Sequence, residues 1–165
     1  MTVREATPQD AAEVAGVHVR SWQVAYRGLF PDGYLDGLRA EDRRAYYTFG
    51  DGRPATIVAV VGGTICGFAT TGPSQDEDTA DAGELYALYL DPQAWGQGIG
   101  RSLMAEARAR LSRQGFAEAI LWVLAGNEQA QRFYRADGWQ PDGHRRQEDV
   151  WGVSADEVRY RRCLP

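Results

Sequence analysis

A glycine-spaced turn between an apolar strand and a helix is the part of this sequence best suited to chemistry. It lies within residues 85–104, where an apolar run over 85–90 is followed by glycines at positions 96, 98 and 100. Glycine lets the backbone pass close to a bulky group without a Cβ clash. The helix that follows presents free N–H groups and the positive end of its dipole at the same place. The pattern predicts an anion site suited to a pyrophosphate.

Neither of the two standard nucleotide motifs accounts for this turn. A dinucleotide fingerprint requires G-x-G-x-x-G, whereas this chain has G-x-G-x-G over residues 96–100. A Walker loop requires Gly-Lys-Ser/Thr, and the sequence contains no lysine. Taken by itself, the turn is as consistent with a plain strand-to-helix connection as with an anion-binding site. The ligand therefore has to be inferred from further motifs.

Two segments resemble the motifs of the GNAT acetyltransferase superfamily. Residues 95–100 are similar to motif A, Gln/Arg-x-x-Gly-x-Gly/Ala, with Trp95 at the first position in place of Gln or Arg. Residues 127–139 are similar to motif B, Asn-x-x-Ala-x-x-Phe-Tyr-x-x-x-Gly-Phe, with Trp139 for the final Phe. Both occur in the order and at the separation of the family, and on these grounds the chain is identified as a member.

Motif B also has a local interpretation. Asn127 is predicted to cap a helix, and Gly138 to end it in a left-handed conformation. Ala130, Phe133 and Tyr134 are expected on one helix face, because they are spaced i, i+3, i+4. A short amphipathic helix packed on a sheet satisfies the same pattern.

The elements around the motifs predict an α/β fold formed by a single domain over residues 1–165. The resemblance implies the GNAT fold, a mixed central β-sheet of six to seven strands flanked by about four helices. Strands are predicted over residues 3–6, 56–61, 65–71, 84–91, 117–124, from 139 onward and over 157–162. Helices are predicted from Pro8, over 41–49, over 98–113 and after Asn127, and the apolar face of the first should contain Ala12, Ala15, Val19 and Trp22.

Composition argues against several kinds of partner. The net charge is −5 and all 18 basic residues are arginine, which disfavours nucleic acid. The arginine clusters at 145–146 and 159–162 are interpreted as solvated faces. No apolar run is long enough for a membrane span and residues 1–5 lack signal-peptide architecture, so we expect a cytoplasmic protein with no membrane partner. Cys66 and Cys163 form no metal-binding pattern, so no metal is expected. A homodimer is expected by analogy only.

The resemblance implies direct transfer of an acetyl group from acetyl-CoA to an amine, without an acyl-enzyme. Glu84 is the candidate base, because it lies eleven residues before Trp95, where the histone-acetylating branch has a catalytic glutamate. Burial beside apolar strand residues would raise its pKa towards that task. The alternative is a glutamate at the edge of a strand, in water. Ribosomal-protein N-terminal acetyltransferases place a glutamate where this chain has Trp122, which disfavours a peptide N-terminus as acceptor.

Tyr134 is the candidate acid. A phenol with a pKa of about 10 can donate a proton to a departing thiolate with a pKa of about 8.5. In the family the matching tyrosine stands beside the cofactor sulfur. The alternative is a packed ring with a hydrated hydroxyl group. Asn127 is assigned to the pantetheine arm, to the helix cap, or to both.

The other cofactor contacts also follow from the resemblance. The family separates its central strand from the next one, often through a bulge, so the backbone at Leu88, Tyr89 and Leu90 is expected to meet the pantetheine amides and the thioester oxygen. The residues expected to bind the pyrophosphate are Gly96, Gln97, Gly98, Gly100, Arg101 and Ser102. The alternative for Arg101 is a solvated side chain.

Aromatic residues in the first part of the chain suit a small amine acceptor. Trp22, Tyr26 and Phe30 are predicted to form its wall through apolar contact and cation–π attraction, with core packing as the alternative. The acidic stretch at 76–81 either attracts a cation or is solvated.

The predicted function is an acetyl-CoA-dependent N-acetyltransferase acting on a primary amine of a small molecule. A protein or peptide amine acetyltransferase and a non-catalytic acyl-CoA-binding module are the alternatives.

Overall fold

A computed structural model of the chain describes residues 1–50 and 54–165. Within these residues the chain forms seven strands and five α-helices, together with short 3-10 turns. In chain order the elements are β1 (Thr2–Glu5), α1 (Ala11–Ala25), α2 (Asp32–Asp36), α3 (Ala40–Arg44), β2 (Ala55–Val61), β3 (Thr64–Pro73), β4 (Gly83–Leu90), α4 (Ile99–Arg113), β5 (Glu118–Leu124), α5 (Glu128–Ala136), β6 (Gln140–Val150) and β7 (Val153–Cys163).

The strands form one mixed sheet in the order β1-β2-β3-β4-β5-β7-β6. The pairing of β4 with β5 is parallel, and the other pairings are antiparallel. The predicted α/β class and mixed sheet are confirmed. The predicted hairpin between β2 and β3 is also confirmed, since Gly62 and Gly63 have φ values of 58° and 81°.

The region between α1 and β2 differs from the prediction. Five described helices replace the expected four, because α2 was not anticipated, and α3 ends at Arg44 rather than continuing to residue 49. Beyond α3 the Tyr47 side chain packs against the core instead, whereas Tyr46 is exposed. The Tyr47 hydroxyl lies 2.6 Å from Nδ1 of His18, and Tyr47 packs edge-on against Phe68. Tertiary packing of these rings therefore outweighs continued helix formation.

Helices cover both faces of the sheet. Alternation along the strands sends Ile57 and Ala69 towards α4, whereas Val58 and Phe68 pack with α1. Within the predicted apolar face of α1, the assignment of Ala12 is wrong, since it is exposed. Among residues 1–50 and 54–165, no helix is both long and apolar enough to cross a bilayer.

Candidate active site

The two strands at the centre of the sheet separate soon after they begin. β4 pairs with β5 only from Gly83 to Leu85. Its pairing with β3 passes from Leu85 directly to Ala87, so Tyr86 is the extra residue of a bulge. Beyond the bulge, no described strand pairs with β4 on the side of β5, which leaves backbone groups of residues 88–90 available to a ligand. This is the bulged separation that the family resemblance predicts.

A cavity of about 570 Å³ opens at this gap. Its lining comes from the end of β4, the glycine turn and α5, and also from the end of α1, β6 and β7. Twelve of the fifteen predicted site residues line this main cavity: Trp22, Tyr26, Phe30, Leu88, Tyr89, Leu90, Gly96, Gly98, Gly100, Arg101, Asn127 and Tyr134. The other three, Glu84, Gln97 and Ser102, do not line it.

The glycine turn has the form expected of an anion site. Gly96 and Gly98 adopt left-handed φ values of 75° and 82°, and Gly98 is the N-cap of α4. No described protein atom lies within 4 Å of the position that a Cβ would take on either residue. The N–H groups of residues 99–101 lie in the first turn of α4, where no carbonyl one turn earlier can accept them. Open space and unpaired donors therefore coincide at the cavity.

One of the predicted backbone donors, the Ser102 N–H, is already hydrogen-bonded, and the side chains of Ser102 and Gln97 are engaged within the turn. The Ser102 N–H donates to the Gly98 carbonyl oxygen at 3.2 Å, and its hydroxyl points to the same oxygen at 3.4 Å. The side-chain amide of Gln97 donates to the Gln93 carbonyl at 2.9 Å. The predicted set of backbone donors therefore narrows to residues 96–101.

Trp95 and Gly100 have packing roles in this turn. The Trp95 indole N–H donates to the Leu90 carbonyl oxygen at 3.3 Å, so the side chain that departs from the family motif ties the turn to the end of β4. A Cβ on Gly100 would lie 3.3 Å from the Phe133 ring. The third glycine therefore permits close contact between α4 and α5.

Helix α5 presents Asn127 and Tyr134 to the main cavity. The Asn127 side chain accepts a hydrogen bond from the Ala130 N–H at 3.1 Å, which confirms the predicted cap. Gly138, with a φ of 93°, confirms the left-handed end of the helix. Tyr134 is 9% exposed, and burial raises the pKa of its phenol, so the hydroxyl is protonated at neutral pH.

Glu84 lines a second, smaller cavity of about 290 Å³. The side chain is buried, which contradicts the alternative of a glutamate in water. Burial, together with the negative charge of Asp76, raises the pKa of Glu84 to about 7. The residues that line both cavities are Leu85, Tyr86, Trp122, Arg146 and Glu157. Glu84 therefore has a pKa suited to accepting a proton near neutral pH. Its cavity adjoins the main cavity through these five shared lining residues.

Arg159 and the acidic loop form a buried ion-pair cluster. The Arg159 side chain is 1% exposed, and its nitrogens lie 3.0 Å from Asp76, 2.6 Å from Asp78 and 2.7 Å from Asp142. The interpretation of Arg159 as part of a solvated face is wrong, because the fold brings it against residues more than 80 positions earlier in the chain. Of these, Asp76 is largely buried, whereas Asp78 remains half-exposed. The cluster fastens the loop before β4 to β6 and β7, and it holds Asp76 near Glu84.

Replacing Arg159 with methionine is expected to lower the free energy of unfolding by about 2 kcal/mol, because three carboxylates lose their shared cation. Chemical denaturation at pH 7 measures this loss. Arg145→Met is the control, since it removes an exposed pair with Asp156 and should cost less than about 0.5 kcal/mol. Equal losses in the two variants would show that burial does not strengthen the Arg159 cluster.

Arg146 and Glu157 were not identified as site residues from the sequence. Each of them lines the main cavity and also the second cavity. They face each other across the β6–β7 hairpin, with Arg146 Nε 2.9 Å from Glu157 Oε1. The Arg146 guanidinium lies 4.2 Å from the centre of the Trp122 ring. No motif marks these residues, and opposite charges in facing positions become a signal only once the register of the hairpin is known.

The predicted aromatic residues form one wall of the main cavity. The ring centres lie 5.0 Å apart for Trp22 and Tyr26, 5.2 Å for Tyr26 and Phe30, and 5.7 Å for Trp22 and Phe30. Trp22 and Phe30 are buried, whereas Tyr26 is partly exposed. These rings therefore both pack with one another and line the cavity, so the two interpretations of them are compatible.

Comparison with known protein families and sequences gives two findings. The family model described as "Acetyltransferase (GNAT) family" matches residues 19–139, a range that includes the glycine turn and α5. The "Uncharacterized N-acetyltransferase YuaI" of Bacillus subtilis (strain 168) is 34% identical over 127 residues, which cover 77% of this chain and 73% of that protein.

Solved structures with the same fold include two that contain coenzyme A or its acetyl ester. The PaiA N-acetyltransferase from Thermoplasma acidophilum, in complex with coenzyme A, has a TM-score of 0.73 and 21% identity over 98% of both chains. YncA from Salmonella typhimurium, with its cofactor acetyl-CoA, has a TM-score of 0.73 and 19% identity over 100% of this chain and 94% of that one. At these identities the likeness shows the fold.

Proposed function

Because this chain belongs to the acetyltransferase (GNAT) family, we propose that it acetylates a primary amine of a small molecule, with acetyl-CoA as the donor. The amine attacks directly in a ternary complex. The observation that carries the proposal is the main cavity, in which the glycine turn and the open edge of β4 share one space with an aromatic wall and with Tyr134.

The residues present fit coenzyme A. Gly96 and Gly98 leave the space beside them open, and the N–H groups up to residue 101 would bind the pyrophosphate. The edge of β4 at residues 88–90 that faces away from β3 and the side-chain amide of Asn127 would hold the pantetheine arm. When bound, acetyl-CoA supplies an activated acetyl thioester. The structures of PaiA and YncA, which contain coenzyme A and acetyl-CoA, support this assignment by fold.

Two side chains of this protein would move protons. Glu84 accepts the proton of the incoming amine at its carboxylate, through water in the second cavity, because its side chain lines that cavity and not the main one. Tyr134 donates its phenolic proton to the departing sulfur from within the main cavity. Burial keeps the Tyr134 phenol protonated near pH 7. The pKa of Glu84 is raised to about 7, so its carboxylate becomes available as the pH rises through neutrality and binds a proton more strongly than an exposed carboxylate would.

Replacing Tyr134 with phenylalanine is expected to lower kcat roughly 10- to 30-fold while the affinity for acetyl-CoA stays near that of the wild type. The ring keeps its packing, and only the proton donor is lost. Single-turnover measurement of thiol release checks this result independently of product release. Tyr46→Phe, at an exposed tyrosine outside the cavities, is the matched control. An unchanged single-turnover rate would remove Tyr134 from the acid role.

The test of the proposed function is thiol release from acetyl-CoA with separate pools of small amines and of peptides, combined with calorimetry of coenzyme A binding. Turnover with small amines supports the proposal. Turnover with peptides alone favours protein or peptide acetylation, and tight binding without turnover favours a non-catalytic module. No binding of coenzyme A at millimolar concentration would overturn the proposal.

A further inference from the structure

The part of the main cavity lined by the aromatic wall, β6 and β7 is called the acceptor side below. It contains one negatively charged side chain. Among the described residues that line this cavity, Glu157 is the only carboxylate. It also lines the second cavity, together with Glu84. Its side chain is 12% exposed and belongs to β7, a strand that contains none of the residues predicted to bind coenzyme A. Glu157 therefore stands at the junction between the acceptor space and the proposed proton acceptor.

The positive charge of Arg146 does not neutralise this junction. Its guanidinium lies 2.9 Å from Glu157, and it lies 3.9 Å from both Asp76 and Glu148. Asp76 is also paired with Arg159, and Glu148 lines neither cavity. The acidic groups that line the cavities are therefore Glu157 and Glu84, and Arg146 is the one described cation that lines both cavities. A single guanidinium thus faces two acidic groups at the junction, an arrangement that favours a further cation there over an anion.

The charge of Glu157 reaches the aromatic wall. Burial raises the pKa of Tyr26 and of Tyr89, and the negative charge of Glu157 adds to that rise for both phenols. Tyr26 is the partly exposed ring of the wall formed with Trp22 and Phe30. An apolar surface and a fixed carboxylate therefore lie within electrostatic reach of each other on the acceptor side.

We propose that Glu157 binds the ammonium group of the acceptor, and that the acceptor is a compact primary amine with an apolar body and no carboxylate. The body packs against Tyr26 and its neighbouring rings, while the ammonium group meets Glu157 beside the cavity of Glu84. A carboxylate next to the amine, as in an amino acid, would lie among like charges. This inference rests on the proposed function, since it specifies the acceptor of that same site.

Phenethylamine and phenylalanine test the inference, because they differ only in the α-carboxylate. The wild-type enzyme is expected to show a kcat/KM for phenethylamine at least about 10-fold higher than for phenylalanine. Glu157→Gln is expected to raise the KM for phenethylamine roughly 10-fold, because the ammonium group loses its charged partner. The KM for acetyl-CoA should not change, since Glu157 lies on the acceptor side.

Glu148→Gln is the matched control. It removes a carboxylate at 3.9 Å from the same Arg146 guanidinium, but Glu148 lines neither cavity. The KM of this variant for phenethylamine should therefore equal that of the wild type. An equal rise of KM in both variants, or no rise in Glu157→Gln, would overturn the role of Glu157. If Glu157→Gln does not fold, Glu157→Asp replaces it, with an expected rise in KM of the same sign.

The wild-type comparison decides the acceptor class independently of any variant. Turnover that is equal for the two probes, or that is confined to amines bearing a carboxylate, would overturn the inference and leave the proposed function intact. Absence of thiol release with both probes and with every amine pool would instead count against the proposed function itself.

Discussion

Replacing Glu84 with glutamine is expected to lower kcat/KM by about 10²- to 10³-fold, the usual contribution of a general base. Only the ionised carboxylate accepts a proton, and the pKa of Glu84 is raised to about 7. The activity of the wild type should therefore fall as the pH drops below about 7 and level off above it. A pH profile of kcat/KM checks this, because the glutamine variant should lose the acidic limb.

Glu77→Gln is the matched control for this substitution. Glu77 is exposed in the loop that precedes β4, so its replacement changes the charge equally without altering the buried carboxylate. Its rate and pH profile should remain those of the wild type. Retention of the acidic limb in Glu84→Gln would assign the titration to another group and remove Glu84 from the base role.

The same Glu84→Gln variant is expected to be more stable than the wild type above neutral pH. A carboxyl whose folded-state pKa is raised from 4.5 to about 7 favours folding only while it is protonated. The wild type should therefore lose stability relative to the variant between pH 4.5 and 7, by about 2 kcal/mol. Denaturation at pH 5 and at pH 8 measures this difference, and its absence would contradict the burial of the charge.

The second large effect is expected for Gly98→Val, which should weaken acetyl-CoA binding roughly 100-fold, or about 2.7 kcal/mol. Gly98 has a φ of 82° at the N-cap of α4, where a β-branched residue is strained. Its side chain would also enter the open space beside the free N–H groups. Calorimetry with acetyl-CoA measures the change in Kd.

Gly115→Val separates the loss of the binding site from backbone strain. Gly115 follows the other end of α4 with a φ of 96°, and it likewise has no described atom within 4 Å of its Cβ position. Both variants should lose stability through the same strain, whereas only Gly98→Val should lose affinity. Equal affinity in the two variants would place the pyrophosphate somewhere other than this turn.

The parts of the site that the sequence predicted are those with local causes. The glycine turn, the Asn127 cap and the left-handed end at Gly138 depend on φ values and on hydrogen bonds within a few residues. The spacing within motif B likewise placed Tyr134 on the helix face that lines the main cavity. These features are encoded in short segments, so they could be inferred without knowledge of the rest of the chain.

Features that depend on strand register could not be inferred in this way. Glu84 was assigned as the base, but its place in a second cavity, and not in the main one, became visible only in the folded chain, where it lies between Gly72 of β3 and Ile120 of β5. The burial of Arg159 also required contacts with a loop more than 80 residues earlier.

By itself, then, the sequence identified the family through its two motifs, and it predicted the α/β class and the glycine turn before α4, because motifs, caps and glycine conformations involve only a few neighbouring residues. Only the tertiary structure decided which charged side chains meet at the two cavities. Glu157 and Arg146 enter the site because β7 lies beside β5 and the last hairpin aligns them. The free energies of burial and ion pairing depend on these distant neighbours, which strand propensity alone does not specify.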